Sequence, residues 1–214
     1  NGHALTKAGH QVADDVEIVV KAQERFVSRG GGKLLAALEQ FPVKVEGKDC
    51  LDIGASTGGF TDCLLQHGAA RVVAVDVGKG QLHWKLRQDE RVTIIDKVNA
   101  RYLQPDDLPF APELIVVDVS FISLTRILPA AIAVMAPGAE LVTLIKPQFE
   151  AGREQVGKGG VVRDEAVRRE VVDNIRAFGE DELGLTCCGV CESPVHGPAG
   201  NVEFLAYWRC SGQG

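Results

Sequence analysis

The strongest constraint on this chain is one stretch, Leu51-Asp52-Ile53-Gly54-Ala55-Ser56-Thr57-Gly58-Gly59-Phe60. An apolar run, Cys50 to Ile53, leads into it. An apolar-faced segment, Phe60 to Gln66, leads out, with Phe60, Cys63, Leu64 and Leu65 on that face. Strand, glycine-rich turn and helix in succession open a nucleotide-binding α/β fold. The glycines let backbone approach a ligand closely, and the helix start offers unpaired N–H groups. The next apolar run, Val72 to Val75, ends in Asp76. That carboxylate falls about 20 residues past the turn, where such folds bind ribose hydroxyls.

The dehydrogenase turn reads G-x-G-x-x-G, and here Ser56 replaces the second glycine. The form D-x-G-x-S-x-G-G-F is more similar to S-adenosylmethionine (SAM) methyltransferases. The bland alternative is a tight strand–helix turn with no ligand. Asp76 at the right spacing favours the binding turn.

A chain of 214 residues accommodates one α/β domain and a short appendage. Apolar content of 45% and charged content of 24% are those of a globular protein. The longest apolar stretch, Ile127 to Ile145, contains Pro129, Pro137, Gly138 and Glu140, which argues against a membrane span. The chain begins at Asn1 and its single methionine is Met135, so a fragment lacking its original N-terminus is expected. Six cysteines with no secretory signal suggest reduced thiols. Cys188 and Cys191 form a lone C-x-x-C inside the apolar run Leu185 to Cys191, which reads as a buried strand and not a metal site. The net charge of −6 disfavours a nucleic-acid partner only weakly, because distribution matters more than the sum. Lys21, Arg25, Arg29 and Lys33 form a local basic stretch suited to RNA.

Apolar runs and breakers predict strands at 50–53, 72–76, 92–95, 114–117 and 140–145. Helices are expected at 34–41, 82–88, 124–135 and 165–178. Such alternation makes a mostly parallel sheet with helices on both faces. Two final strands, 185–191 and 202–208, have no helix between them and should pair antiparallel. The seven-stranded sheet closed by an antiparallel hairpin is the Rossmann-like SAM methyltransferase architecture. The loop Pro147 to Val161 is long enough to suggest a substrate-gating role.

Lys33 opens the first helix. Asp118 ends the fourth strand, Lys146 ends the fifth, and Glu203 stands near the start of the last, which runs the other way. All four therefore reach one sheet edge, where ligands bind. Each alone would read as a solvated strand end. Together with the turn they form a candidate site.

This K-D-K-E set with D-x-G-x-S-x-G-G-F resembles the FtsJ-like ribose methyltransferases. The wording S-R-G-G-x-K-L, D-V-S-F-I-S-L, I-K-P-Q-F-E and G-N-V-E-F is closer still to the hemolysin A (TlyA) family of ribosomal RNA 2′-O-methyltransferases. The resemblance implies SAM-dependent methylation of ribose, expected at cytidine, in the RNA of ribosomal subunits. It implies Lys33, Asp118, Lys146 and Glu203 as the catalytic set, with Lys146 as proton acceptor. Asp52, Gly54, Ser56, Gly58, Gly59, Phe60, Asp76, Val77, Asn99 and Asp118 are the expected cofactor contacts. A cytoplasmic monomer without membrane attachment and without a metal is expected. Residues 1–20 resemble the end of an S4-type RNA-binding domain, 21–33 read as a basic linker, and 34–214 as the methyltransferase domain. Two other classes stay open: a hemolysin-like membrane-active protein, and a SAM-fold RNA-binding module without catalysis.

Overall fold

The structure, a computed structural model, describes residues 24–210. The expected S4-like remnant at 1–20, and Lys21, lie outside the described residues. Thirteen elements follow in order: α1 (Gly30–Gln40), β1 (Asp49–Ile53), α2 (Gly59–Gln66), β2 (Arg71–Asp76), α3 (Trp84–Arg87), β3 (Val92–Asp96), β4 (Leu114–Val117), α4 (Leu128–Ala133), β5 (Glu140–Ile145), α5 (Pro147–Glu150), α6 (Glu165–Ala177), β6 (Leu185–Glu192) and β7 (Phe204–Cys210).

The strands form one seven-stranded sheet in the order β3-β2-β1-β4-β5-β7-β6. β1 to β5 run parallel, and β7 is antiparallel to both β5 and β6. The last strand thus lies inside the sheet, between β5 and β6. The chain moves outward through β2 and β3, then returns to place β4 on the other side of β1. That reversal opens a crevice beyond the carboxyl ends of β1 and β4.

Successive strand residues point to opposite faces, and the core divides accordingly. Cys50, Val72, Ala74, Leu114 and Val116 pack with α1 and α2 residues such as Leu34, Ala37, Phe60 and Leu64. Leu51, Ile53, Val73, Val75, Ile115 and Val117 pack on the other face with Ile127, Leu128, Ala131, Val171 and Ile175. Both faces of the central strands are buried, so those strands read as continuous apolar runs.

Several boundaries differ from the sequence reading. α1 starts at Gly30, not Leu34, so the end of the expected linker is helical. The three glycines do not stop the helix there. Phe26 fills the space that a Cβ on Gly31 would need, 2.3 Å from the nearest ring atom. The segment expected as one helix from 124 to 135 divides into a 3-10 turn, Leu124–Arg126, and α4. Pro129 lacks the N–H that would join them. The long loop after β5 begins with α5, whose first residue, Pro147, has a backbone pre-set for a helix start. The run holding Cys188 and Cys191 is not a buried strand. β6 is a sheet edge with alternating exposure, and Cys188 is exposed.

Candidate active site

The turn after β1 is held from beneath and beside. Gly54 and Ala55 donate backbone N–H groups to the Val75 carbonyl, at 2.9 and 3.1 Å. Gly54 has φ +86, and a Cβ there would lie 2.4 Å from the Asp118 carbonyl oxygen. Only glycine satisfies both conditions. Asp76 accepts N–H hydrogen bonds from Ser56 at 2.8 Å and from Gly78 at 2.7 Å, one on each carboxylate oxygen. Its orientation is therefore fixed, and each oxygen keeps further acceptor capacity.

Two cavities meet over this turn. One, of about 450 Å³, is lined by Ile53, Val75, Val77, Val98, Ala100, Val119, Ile122 and Ile127, with Asp76, Gln81 and Asn99 as polar members. The other, of about 410 Å³, contains Arg29, Lys33, Lys146, Glu203, Gln148, Phe149 and His196. Gly54, Ser56, Asp118, Ser120 and Phe121 line both.

The four strand-end residues come together in the second cavity as two ion pairs. β5 pairs with β7 so that Ile145 faces Phe204, and one further step sets Lys146 beside Glu203. Lys146 Nζ is 2.6 Å from Asp118 Oδ1 and donates to Ser120 Oγ at 2.9 Å. Lys33 Nζ is 2.5 Å from Glu203 Oε2, and Gln148 Nε2 donates to Glu203 Oε1 at 3.0 Å. Glu203 is fully buried, and Lys33 and Lys146 are 7% and 8% exposed. Lys33 thus belongs to the interior and not to a basic RNA-facing surface. Charges removed from water to this degree persist only when paired.

The other expected contacts are distributed unevenly. Val77 is exposed on the rim of the apolar cavity. Asn99 lines that cavity, and its side chain accepts the Arg101 N–H at 3.1 Å. Gly59 and Phe60 line the charged cavity, while Gly58 and Asp52 line neither. Asp52 is fully buried below the turn, where Thr61 donates its hydroxyl to Oδ2 at 2.6 Å and Oδ1 has no partner. Burial pushes its carboxyl up to about 7; the Thr61 hydrogen bond opposes this, and Asp118 and Asp76 add to it. Arg29 lines the charged cavity, and Arg25 does not, since its guanidinium lies 5.0 Å from the Phe26 ring centre.

Ser120, Gln148, Phe121, Phe149 and Glu150 were not singled out from sequence, although D-V-S-F and K-P-Q-F-E contain them. Phe121 is 91% exposed with φ +64, and its ring centre lies 5.0 Å from that of Phe149. Glu150 joins the two segments that present these rings. It accepts from Ser123 Oγ at 2.5 Å and from Leu124 N–H at 2.8 Å. Burial raises its carboxyl above the usual range, opposed by those two donors. Among the described residues, no three His, Cys, Asp or Glu side chains cluster as a metal site. No helix among them is long and apolar enough to cross a membrane.

The FtsJ-like methyltransferase family matches residues 26–210. The 16S/23S rRNA (cytidine-2′-O)-methyltransferase TlyA of Mycobacterium tuberculosis is 49% identical over 211 residues, 98% of this chain and 78% of that protein. Hemolysin A of Brachyspira hyodysenteriae is 45% identical over 213 residues, 97% of this chain and 87% of that protein. A solved structure described as a hemolysin candidate from Lactococcus lactis superposes with TM-score 0.86 at 47% identity, over 89% of this chain and 91% of that one. The chain belongs to the FtsJ-like methyltransferase family, in the group that contains TlyA and hemolysin A.

Proposed function

We propose that this chain transfers a methyl group from SAM to the 2′-hydroxyl of a cytidine ribose in ribosomal RNA. One observation carries the reading. Lys146 lines the charged cavity and is held by Asp118 and Ser120, both of which also line the apolar one. The residues fit SAM: an apolar cavity for a nucleoside, a carboxylate oriented for ribose hydroxyls, and a turn with no Cβ at Gly54. Asp76 and Asn99 hold the nucleoside end. Gly54, Ser56 and Gly59 hold the end nearer the charged cavity. SAM supplies a methyl group already activated by its sulfonium.

What remains for the protein is alignment and removal of one proton. Lys146 Nζ would take the proton of the 2′-hydroxyl, and SAM would supply the methyl group, its carbon–sulfur bond breaking as the carbon–oxygen bond forms and the neutral thioether leaving. An ammonium has no lone pair, so the Lys146–Asp118 pair must first give up one proton to solvent before Nζ can accept one from the ribose. Asp118 and Ser120 orient Nζ. The Lys33–Glu203 pair, extended by Gln148, shapes the far side of the cavity against the ribose. Phe121, exposed and backed by the half-buried Phe149, offers the attached base a face on which to stack. The methyltransferase domain starts near Phe26, which packs in the core, and the residues before it serve as its linker. Residues 1–20 are the S4-like remnant. The enzyme works as a monomer in the cytoplasm on ribosomal subunits.

Transfer of label from methyl-tritiated SAM to ribosomal RNA tests this. The expected product is a single alkali-resistant linkage 3′ to a cytidine. Label on a base, or liposome leakage with no transfer, overturns it.

A further inference from the structure

We infer that Arg29 and His196 form an anion clamp at the mouth of the charged cavity, seating the phosphodiester beside the target ribose. The inference rests on the ribose-methylation reading and extends it to a residue, His196, that the K-D-K-E set does not include.

The argument begins with charge. The titratable side chains lining this cavity are Arg29, Lys33, Asp118, Lys146, Glu203 and His196. Lys33 pairs with Glu203 and Lys146 with Asp118, so those four formal charges cancel. Arg29 is left over. Its guanidinium has no hydrogen-bond or ion-pair partner among the described residues, and it is exposed. The His196 imidazole is likewise exposed and unpartnered. The cavity interior is neutral in sum, while its mouth carries a cation and an imidazole whose N–H can donate a hydrogen bond.

Packing holds the two residues in place. Arg29 immediately precedes α1, and Gly32 in the first turn of α1 lies against Val195. His196 sits between Val195 and Gly197. A Cβ on Gly197 would be 2.6 Å from Glu203 Oε1, so glycine lets this loop rest directly on the buried carboxylate. The loop is fastened at both ends. Ser193 N–H donates to the Glu203 carbonyl at 2.8 Å, and its hydroxyl donates to the Val195 carbonyl at 2.9 Å. Gly197 N–H donates to the Asn201 carbonyl at 2.9 Å. The Asn201 side chain accepts from Val162 N–H at 3.0 Å and donates to the Gly160 carbonyl at 2.8 Å. The loop backbone is thus held before binding, and only the Arg29 and His196 side chains remain to be ordered by an anion.

An RNA ribose is flanked by phosphodiester monoanions, which a guanidinium matches in a bidentate way. The cofactor's carboxylate is the other anion that could reach this cavity, and the experiment separates the two. RNA binding and KM are measured across a salt series, with SAM affinity measured by calorimetry on the same proteins. Arg29→Ala should raise the KM for RNA about tenfold and reduce the salt slope by about 0.7 to 1. Arg29→Lys should recover most of the slope. His196→Glu should raise the KM, and His196→Lys should match or lower it. SAM affinity should stay within about twofold throughout, a split that mere loosening of the loop would not produce. Unchanged RNA binding and slope in Arg29→Ala and His196→Glu overturns the clamp. So does weakened SAM binding at constant RNA affinity, which assigns the anion to the cofactor. A wild type that binds RNA but methylates none overturns ribose methylation instead, and anisotropy on the variants still reads the clamp.

Discussion

The two cavities that meet over Gly54 are close in size, about 450 and 410 Å³, and opposite in chemistry. One is walled mainly by aliphatic side chains, with the carboxylate of Asp76 oriented by two backbone N–H groups. The other holds one buried ion pair, Lys33–Glu203, one partly buried pair, Lys146–Asp118, and an aromatic pair at its mouth. An apolar wall binds by area and tolerates small losses. Buried ion pairs contribute little net stability when complete and cost much when one partner is removed. Binding and chemistry are thus assigned to neighbouring volumes that share five residues, and mutations should separate them.

The sharpest division comes at Lys146. Lys146→Ala should slow single-turnover methyl transfer about 10²–10⁴-fold, the usual worth of general-base assistance. SAM affinity should change little. Lys146→Arg should be as slow, because a guanidinium keeps the charge but accepts no proton. Retention of most of the rate by the arginine variant would leave Lys146 as a positioner only. Next comes Lys33→Ala, which strands the fully buried Glu203 carboxylate. Denaturant titration should show a loss of about 3–5 kcal/mol. A loss below about 1 kcal/mol would mean that the charged cavity is as forgiving as the apolar one.

On the apolar side, Asp76→Ala should weaken SAM binding about ten- to a hundredfold by calorimetry, the value of a hydrogen bond to a charged group. Catalysis at saturating SAM should be largely kept. A variant that binds SAM as wild type does would remove Asp76 from the site. The smallest effect concerns Asp52, which lies under the turn and touches neither cavity. Burial raises its carboxyl in the folded protein from the ordinary 3.8 to about 7. The folded protein then holds the proton more tightly, so this group's stabilising contribution is full below about 4 and lost as pH rises through 7. Melting temperature should fall across that window. Asp52→Asn should flatten the drop, and Glu150, also raised by burial, should keep part of it. An equally steep profile in the variant would show that Asp52 does not titrate there.

Much of the site could be read from the chain because its residues stand at the ends of strands. Apolar runs locate the strands, and Asp76, Asp118 and Lys146 are the first polar residues after them. Glu203 was legible for a related reason, since reversing the last strand brings its start to the same edge. The residues that escaped depend on relations between distant segments. Gln148 matters because its amide reaches Glu203, and Ser120 because its hydroxyl accepts from Lys146. His196 matters because Gly197 lies against a carboxylate six residues further on. Composition also misled at Gly30–Gly32, where packing against Phe26 turned an expected break into the first turn of α1. At β6 an apolar run proved to be an edge, because hydrophobicity does not report how many neighbours a strand has.

The position of β7 bears on how the protein is made. A strand that is late in the chain yet lodged between β5 and β6 cannot be placed until nearly everything before it has left the ribosome. Until then β5 presents an open edge and β6 has nothing to pair with. Lys33, synthesised early, waits for a carboxylate 170 residues downstream. Contacts of that span form late in folding. A chain released before β7 therefore carries the Gly54 turn but no closed charged cavity, and the proposed function then predicts a truncated protein without catalysis, not one with unregulated methylation.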